Sequence, residues 1–341
     1  MNNRKTRDSN MELLRLVAML LVMIVHASYR ALPKPTPESI AAAPVSLFLQ
    51  ITVESFTVVG VNVFVMLSGW YGIRLRWSRL LELFFQVAFF AVLCIGLYYA
   101  LNGTVPQGPL LSVLMLHEGD YWFVKTYLAL YLLSPVLNAF VQTATQRQMA
   151  VTVLSLFAFQ WIYGWVFEAT SWLRAGYSLP SFVCLYLLAR YLNVYRPAFT
   201  KWRPRTDLCA YLVLCSIVTV AYFLLKRYFN IGGLLWFYNS PTTIIAAMFL
   251  LLFFSKLSFH SKLVNWLAIS ALAVYLTHSN TPLGKYYDWY ILNWHDTLPR
   301  LSFLLYTASF IAVVFFGSIL IDKLRVALWN QLLKLSWKKN H

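Results

Sequence analysis

Across 341 residues the chain is 60% hydrophobic and only 12% charged, with a mean hydropathy of +0.62. That much apolar surface excludes a water-soluble globular fold and marks an integral membrane protein. The net charge of +16 would suit nucleic acid, but the basic residues are scattered between apolar runs and form no basic domain, so no nucleic-acid partner is expected.

Ten apolar segments of spanning length follow one another, at 11–31, 46–71, 80–101, 122–141, 149–168, 177–195, 208–228, 239–256, 263–280 and 302–322. Each approaches the ~20 residues a spanning helix needs. The first has a basic start and a short apolar core, as a secretory signal does. Its apolar stretch runs past His26 into "SYRALP" and Arg15 interrupts it, so a retained helix is expected. No repeat or polar linker divides the chain. It reads as a single domain over 1–341, an all-α bundle of about ten transmembrane helices with tails at 1–10 and 323–341.

Cys94, Cys184, Cys209 and Cys215 all fall inside apolar segments and form no C-x-x-C, so neither a disulfide framework nor a metal site is expected. With the N-terminus inside, nineteen of the 28 lysines and arginines fall in inner loops, tails or inner segment ends and seven on the outer side, with Arg15 and Lys125 counted on neither. The positive-inside rule then places both termini in the cytoplasm.

The first segment, "LLRLVAMLLVMIVHASYR", carries Arg15 and His26 eleven residues apart. At roughly 100° per residue they share one helix face, about 16 Å apart along the axis. A structural reading lets Arg15 snorkel to the membrane surface while His26 is buried with a partner. In this topology Arg15 sits at the cytoplasmic end and His26 in the outer half. Glu54 in the second segment and His278 in the ninth reach a similar depth. A carboxylate there must be protonated or paired, so Glu54 either bonds a neighbouring helix or orients His26.

The R-x10-H of Arg15 and His26 resembles the signature of acyltransferase family 3. So do "GVNVFVMLSGWYGIRLR" at 60–76, "YWFVKTYLALYLLSPVLN" at 121–138 and "ISALAVYLTH" at 269–278, in the family's order. The chain departs from the family at Ala271, where a tyrosine is frequent, at Asn62, where an acid is frequent, and in the sparse arginine pattern "RLRWSRLLELFF". With no hydrolase-like domain after the tenth segment, it resembles the stand-alone members.

The resemblance implies an enzyme of the cell (inner or plasma) membrane that takes an acyl group, expected to be acetyl, from cytoplasmic acyl-CoA. The group goes to a hydroxyl of an exported or lipid-linked glycan, with acetyl-CoA as co-substrate and no metal. Arg15, Arg74, Arg76 and Arg79 would meet the phosphates, which arginine can bind in bidentate fashion. The positive-inside rule alone would also put the last three there. His26 would be the general base, with Glu54 beside it. Trp122 and His278 would face the acceptor, and the aromatic loop "KYYDWYILNWHD" at 285–296 offers stacking faces as well as Asp288 and Asp296, although Trp and Tyr collect at any membrane interface. Membrane lipids surround the whole. A secondary transporter or lipid-glycan flippase would use the same intramembrane Arg, His and Glu as a proton or substrate path, but the two similar halves common in such proteins are absent from the sequence.

Overall fold

The computed structural model describes residues 8–106, 113–115, 121–168 and 171–339, and all regular structure among them is helical. Arg4, Lys5 and Arg7, which contribute to the inner charge count, lie outside the described residues. In chain order the α-helices are α1 (Ser9–Val25), α2 (Pro37–Ala42), α3 (Pro44–Thr57), α4 (Gly60–Tyr71), α5 (Trp77–Asn102), α6 (Trp122–Thr143) and α7 (Gln146–Gln160). There follow α8 (Leu179–Tyr195), α9 (Pro204–Phe229), α10 (Pro241–Ser255), α11 (Lys262–Ala268), α12 (Ala271–His278), α13 (Thr281–Thr297) and α14 (Arg300–Lys339).

Among the described residues, eight helical stretches are long and apolar enough to cross a membrane: Ser9–Arg30, Pro44–Tyr71, Trp77–Asn102, Trp122–Thr143, Gln146–Val166, Pro204–Phe229, Gly233–Ser255 and Arg300–Lys334. They coincide with eight of the ten apolar segments. The sixth segment is α8, a helix of 17 residues that ends where Arg196 turns left-handed (φ 45°) before Pro197. The ninth is two short helices, α11 and α12, because Ser270 leaves helical geometry at φ −103° and ψ 11° and starts α12 as its N-cap. Its hydroxyl makes no capping bond, and the buried Oγ has no hydrogen-bond partner among the described residues. Ala268, Ser270 and Ala271 are each 1% exposed or less, while Ile269 between them is 47% exposed.

Two helices end in wider π-turns, α1 at His26–Arg30 and α7 at Trp161–Val166. Pro135 sits inside α6, where it cannot donate to the carbonyl of Tyr131; the Ser134 hydroxyl donates to that oxygen instead, at 2.7 Å.

The described residues form two compact units. The first comprises those of Met1–Tyr29, Pro33–Arg74 and Phe123–Asn265. In it α1 packs on α3 and α4, α4 on α8, and α9 on α3 and α10. Glycine sets the spacing: a Cβ on Gly60 would stand 2.8 Å from the Ala18 carbonyl oxygen, and one on Gly69 would stand 2.5 Å from that of Tyr186. Small residues at such crossings let backbones approach within van der Waals contact, which drives helix association in lipid.

The second unit comprises the described residues of Arg30–Leu32, Leu75–Trp122 and Trp266–His341, where α5, α12 and α13 pack against α14. Its core holds ions. Asp322, fully buried, accepts from Gln86 Nε2 at 2.9 Å and from Arg325 Nε and Nη2 at 2.9 and 3.0 Å, and Glu82 Oε1 stands 3.6 Å from Arg325. A buried charge is tolerated only when paired and hydrogen-bonded in this manner.

Candidate functional site

In the first unit Arg15 is not a lone cation. It lies one turn after Glu12, and its Nη1 pairs with Glu12 Oε2. The i, i+3 spacing that produces this pair is present in the sequence. Tyr71, whose hydroxyl donates to Asp8 Oδ2 at 3.0 Å, and Tyr127 both feel the Arg15 charge.

Arg74 follows a backbone segment held from several sides. Gly72 takes φ +76°, a value that favours glycine, and a Cβ there would meet Arg190 Nη1 at 3.1 Å. Trp70 O accepts from Asn193 Nδ2 at 2.7 Å and from Arg190 Nη1 at 3.4 Å. Ile73 N donates to the Tyr186 hydroxyl at 3.1 Å, which donates to Asn138 Oδ1 at 2.6 Å. Asn138 Nδ2 closes the ring on Ile73 O at 2.6 Å, and the Tyr131 hydroxyl reaches Arg74 O at 3.2 Å. These bonds use the carbonyls and amide that the end of α4 leaves over. The Arg74 side chain is exposed beyond them. Asn138, Tyr186 and Arg190 were overlooked in the sequence; polar side chains within apolar runs were the available signal.

His26 opens the π-turn at the end of α1 and is half-buried. Such turns displace the following side chains relative to an α-helix and recur at functional sites. Two residues on, Ser28 hydrogen-bonds the carboxyl of Glu54, which is 2% exposed. The second oxygen, Glu54 Oε2, has no hydrogen-bond partner among the described residues. Beside them Trp236 donates to Ser55 Oγ at 3.1 Å and stacks on Tyr222 with centroids 3.6 Å apart, while Tyr29 meets its edge. Asn62 donates to Tyr238 O at 2.8 Å.

The second unit holds the remaining candidates. Arg76 and Arg79 are exposed at the start of α5, Arg79 paired with Glu82 at 2.8 Å. Trp122 begins α6, half-buried. His278 ends α12, 2% exposed, with Nδ1 2.6 Å from Val274 O. A carbonyl only accepts, so Nδ1 carries a proton. On α13, Asp288 pairs with Arg30 at 2.9 Å, and Asp296 pairs with the neighbouring His295. Burial pushes the Asp288 carboxyl above the ordinary aspartate range, against the opposing pull of Arg30.

Thus Arg15, His26, Glu54 and Arg74 belong to one unit, and Arg76, Arg79, Trp122 and His278 to the other. Among the described residues no group of three or more His, Cys, Asp or Glu side chains could hold a metal ion. A family profile described as an acyltransferase domain matches residues 8–323, through all four motif-like segments. No curated protein and no solved structure matches the chain.

Proposed function

The chain belongs to acyltransferase family 3, and from that membership we propose that it moves an acetyl group from cytoplasmic acetyl-CoA to a hydroxyl of an exported or lipid-linked glycan. The observation that carries this reading is the family match over 8–323, in a chain whose described residues include eight helices long and apolar enough to span a membrane. The protein works as one domain in the cell membrane, with ten spans and both termini in the cytoplasm.

Acyl-CoA is a polyanion confined to the cytoplasm, whereas an exported glycan offers its hydroxyls on the far side. Arg15, Arg74, Arg76 and Arg79 then serve the phosphate end. The exposed guanidinium groups of the last three fit that task. Arg15 reaches it by exchanging its bond to Glu12 for one to the ligand.

At the other end His26 accepts the proton of the attacking sugar hydroxyl as the new C–O bond forms. The C–S bond of the thioester breaks, and the CoA thiolate leaves and takes up a proton. Glu54, bonded to Ser28 in the turn that begins with His26, holds the base in place. Trp122 supplies a stacking face for the acceptor, and the His278 imidazole meets one of its hydroxyls.

The test is incubation of membranes containing the protein with acetyl-CoA labelled in its acetyl group. Label should enter the glycan fraction. A protein that moves glycan across the membrane and leaves it unlabelled is a transporter, and the acyl-transfer reading then falls.

A further inference from the structure

Arg30 was counted in the sequence only as an outer-loop charge, yet the structure gives it three partners in the second unit. Its Nε donates to Asp288 Oδ1 at 2.9 Å, its Nη2 donates to the carbonyl of His278 at 3.3 Å, and its guanidinium carbon lies 5.8 Å from the centroid of the Tyr287 ring. That ring is in turn 5.4 Å from the imidazole of His278. Gly284 makes room for the arrangement: a Cβ on it would lie 3.1 Å from His278 O and 3.9 Å from Arg30 Nη2.

The carbonyl that Arg30 holds is the last of α12. A helix end leaves its final carbonyls unsatisfied, and a cation there is favoured by the helix dipole as well. The Tyr121 hydroxyl takes a second one, Leu276 O, at 3.1 Å, and is itself held by Asn280 Nδ2 at 2.6 Å. Val274 O, one residue before those last four carbonyls, lies 2.6 Å from the Nδ1 of His278. The imidazole thus folds back along the same last turn whose end Arg30 and Tyr121 cap. Fraying of the last turn would release all three bonds together.

An ion pair with both side chains about a third exposed, as Arg30 and Asp288 are, contributes little to stability by itself. Its consequence is geometric. We propose that Arg30, anchored by Asp288, is the positioning residue for His278. It keeps the final turn of α12 closed and Nδ1–H on Val274 O, so that the imidazole meets a hydroxyl of the substrate that receives the acyl group in one fixed orientation. The assignment of that hydroxyl rests on the acyl-transfer reading above; the arrangement of the imidazole does not.

Two measurements test it on the full-length protein in membranes. The first needs no turnover: carbethoxylation of His278 is followed by mass spectrometry of its peptide. Arg30→Met and Asp288→Asn should raise its rate several-fold, because a ring freed from Val274 O offers both nitrogens, and Arg30→Lys should recover most of the protection. Unchanged labelling in Arg30→Met overturns the proposal. The second is labelled acetyl transfer. Arg30→Met should lower kcat about tenfold with the KM for acetyl-CoA unchanged, since a misplaced group costs at least that much. Added to His278→Ala it should cost nothing further. A full additional loss in the double variant would show that Arg30 acts elsewhere and would also overturn the proposal. Wild-type protein that transfers no acetyl refutes the acyl-transfer reading, while the labelling still decides the positioning.

Discussion

Ser68 Oγ and Tyr127 Oη lie 3.1 Å apart, a hydrogen bond between α4 and α6. It joins the family-like segments 60–76 and 121–138 at a point within electrostatic reach of Arg15. Glu12 and Arg15 form their own pair on α1. Loss of any one of these groups acts on a supported arrangement, which sets the expected magnitudes below.

Replacing Arg15 by Ala should raise the KM for acetyl-CoA roughly tenfold to a hundredfold with kcat less affected, the effect of losing charge-assisted bonds worth ~1.5–3 kcal/mol. Glu12→Gln removes the competing carboxylate, so it should lower that KM or leave it unchanged. Arg147→Ala is the control. Steady-state kinetics in membranes that show equal shifts for Arg15→Ala and Arg147→Ala would reduce Arg15 to a topological charge.

His26→Ala should lower transfer by ~10²–10⁴ at matched protein levels, the usual contribution of a general base. Glu54→Gln and Ser28→Ala should each give a smaller loss, and the two should not add, since both break one bond. Near-normal turnover of His26→Ala would leave His26 a structural side chain.

The Arg30–Asp288 pair should be unusually acid-sensitive. Asp288 titrates above the ordinary aspartate range, so it is neutral at a pH where an unburied aspartate is still charged. The sign for stability is opposite to that of a carboxylate whose pKa is depressed. The folded state holds the proton more tightly, so this group's contribution is complete below the ordinary aspartate pKa and falls as pH rises to the raised value. Thermal unfolding against pH should show the wild type losing stability across that window and Asp288→Asn lacking the step. Identical profiles would remove Asp288 as the titrating group.

Two glycines give a packing test with its own control. An added methyl at Gly69 collides with the Tyr186 carbonyl and the Ala189 side chain, whereas at Gly96 it meets nothing within 4 Å. Gly69→Ala should cost about 1–3 kcal/mol, and Gly96→Ala should be neutral or stabilising by up to ~1 kcal/mol, as removal of a mid-helix glycine is. Melting temperatures in detergent that fall equally for both would contradict the close approach of α4 and α8.

The orientation is open to thiol labelling. Of the four cysteines only Cys209 is exposed, so Cys209→Ser provides the background. New cysteines at Arg203 or Ser261 should resist membrane-impermeant reagents in intact cells, and those at Asn102 or Asp296 should react. The reverse pattern would invert the direction of transfer.

The apolar runs made the helical class and eight of the spans legible, because a run of ~20 oily residues has few other fates. The division of the ninth segment was not, since Ser270 is one mild helix breaker among good helix formers. Nor was α13: its residues 285–296 read as an aromatic loop, yet they form a helix from Thr281 to Thr297 whose Tyr287 and Ile291 are buried. Of the candidate side chains, sequence placed Arg15 and His26 on one helix but not the partner of Glu54. Ser28 lies 26 positions away, and only the packing of α3 beside the end of α1 brings them together. The same holds for Arg30 and Asp288, separated by 258 positions.

The buried ions of the second unit carry one more consequence. From Arg300 to Asp322 the helix α14 rises about 33 Å, close to the ~30 Å of a typical hydrocarbon layer. Asp322 and Arg325, with Gln86 and Glu82 of α5, therefore sit about one hydrocarbon thickness along α14 from Arg300. A thicker bilayer would draw this polar lock into the acyl chains, and a thinner one would uncover apolar helix at the opposite end. Hydrophobic mismatch thereby turns lipid chain length into a force on α5 and α14, the helices against which α12 and its His278 pack.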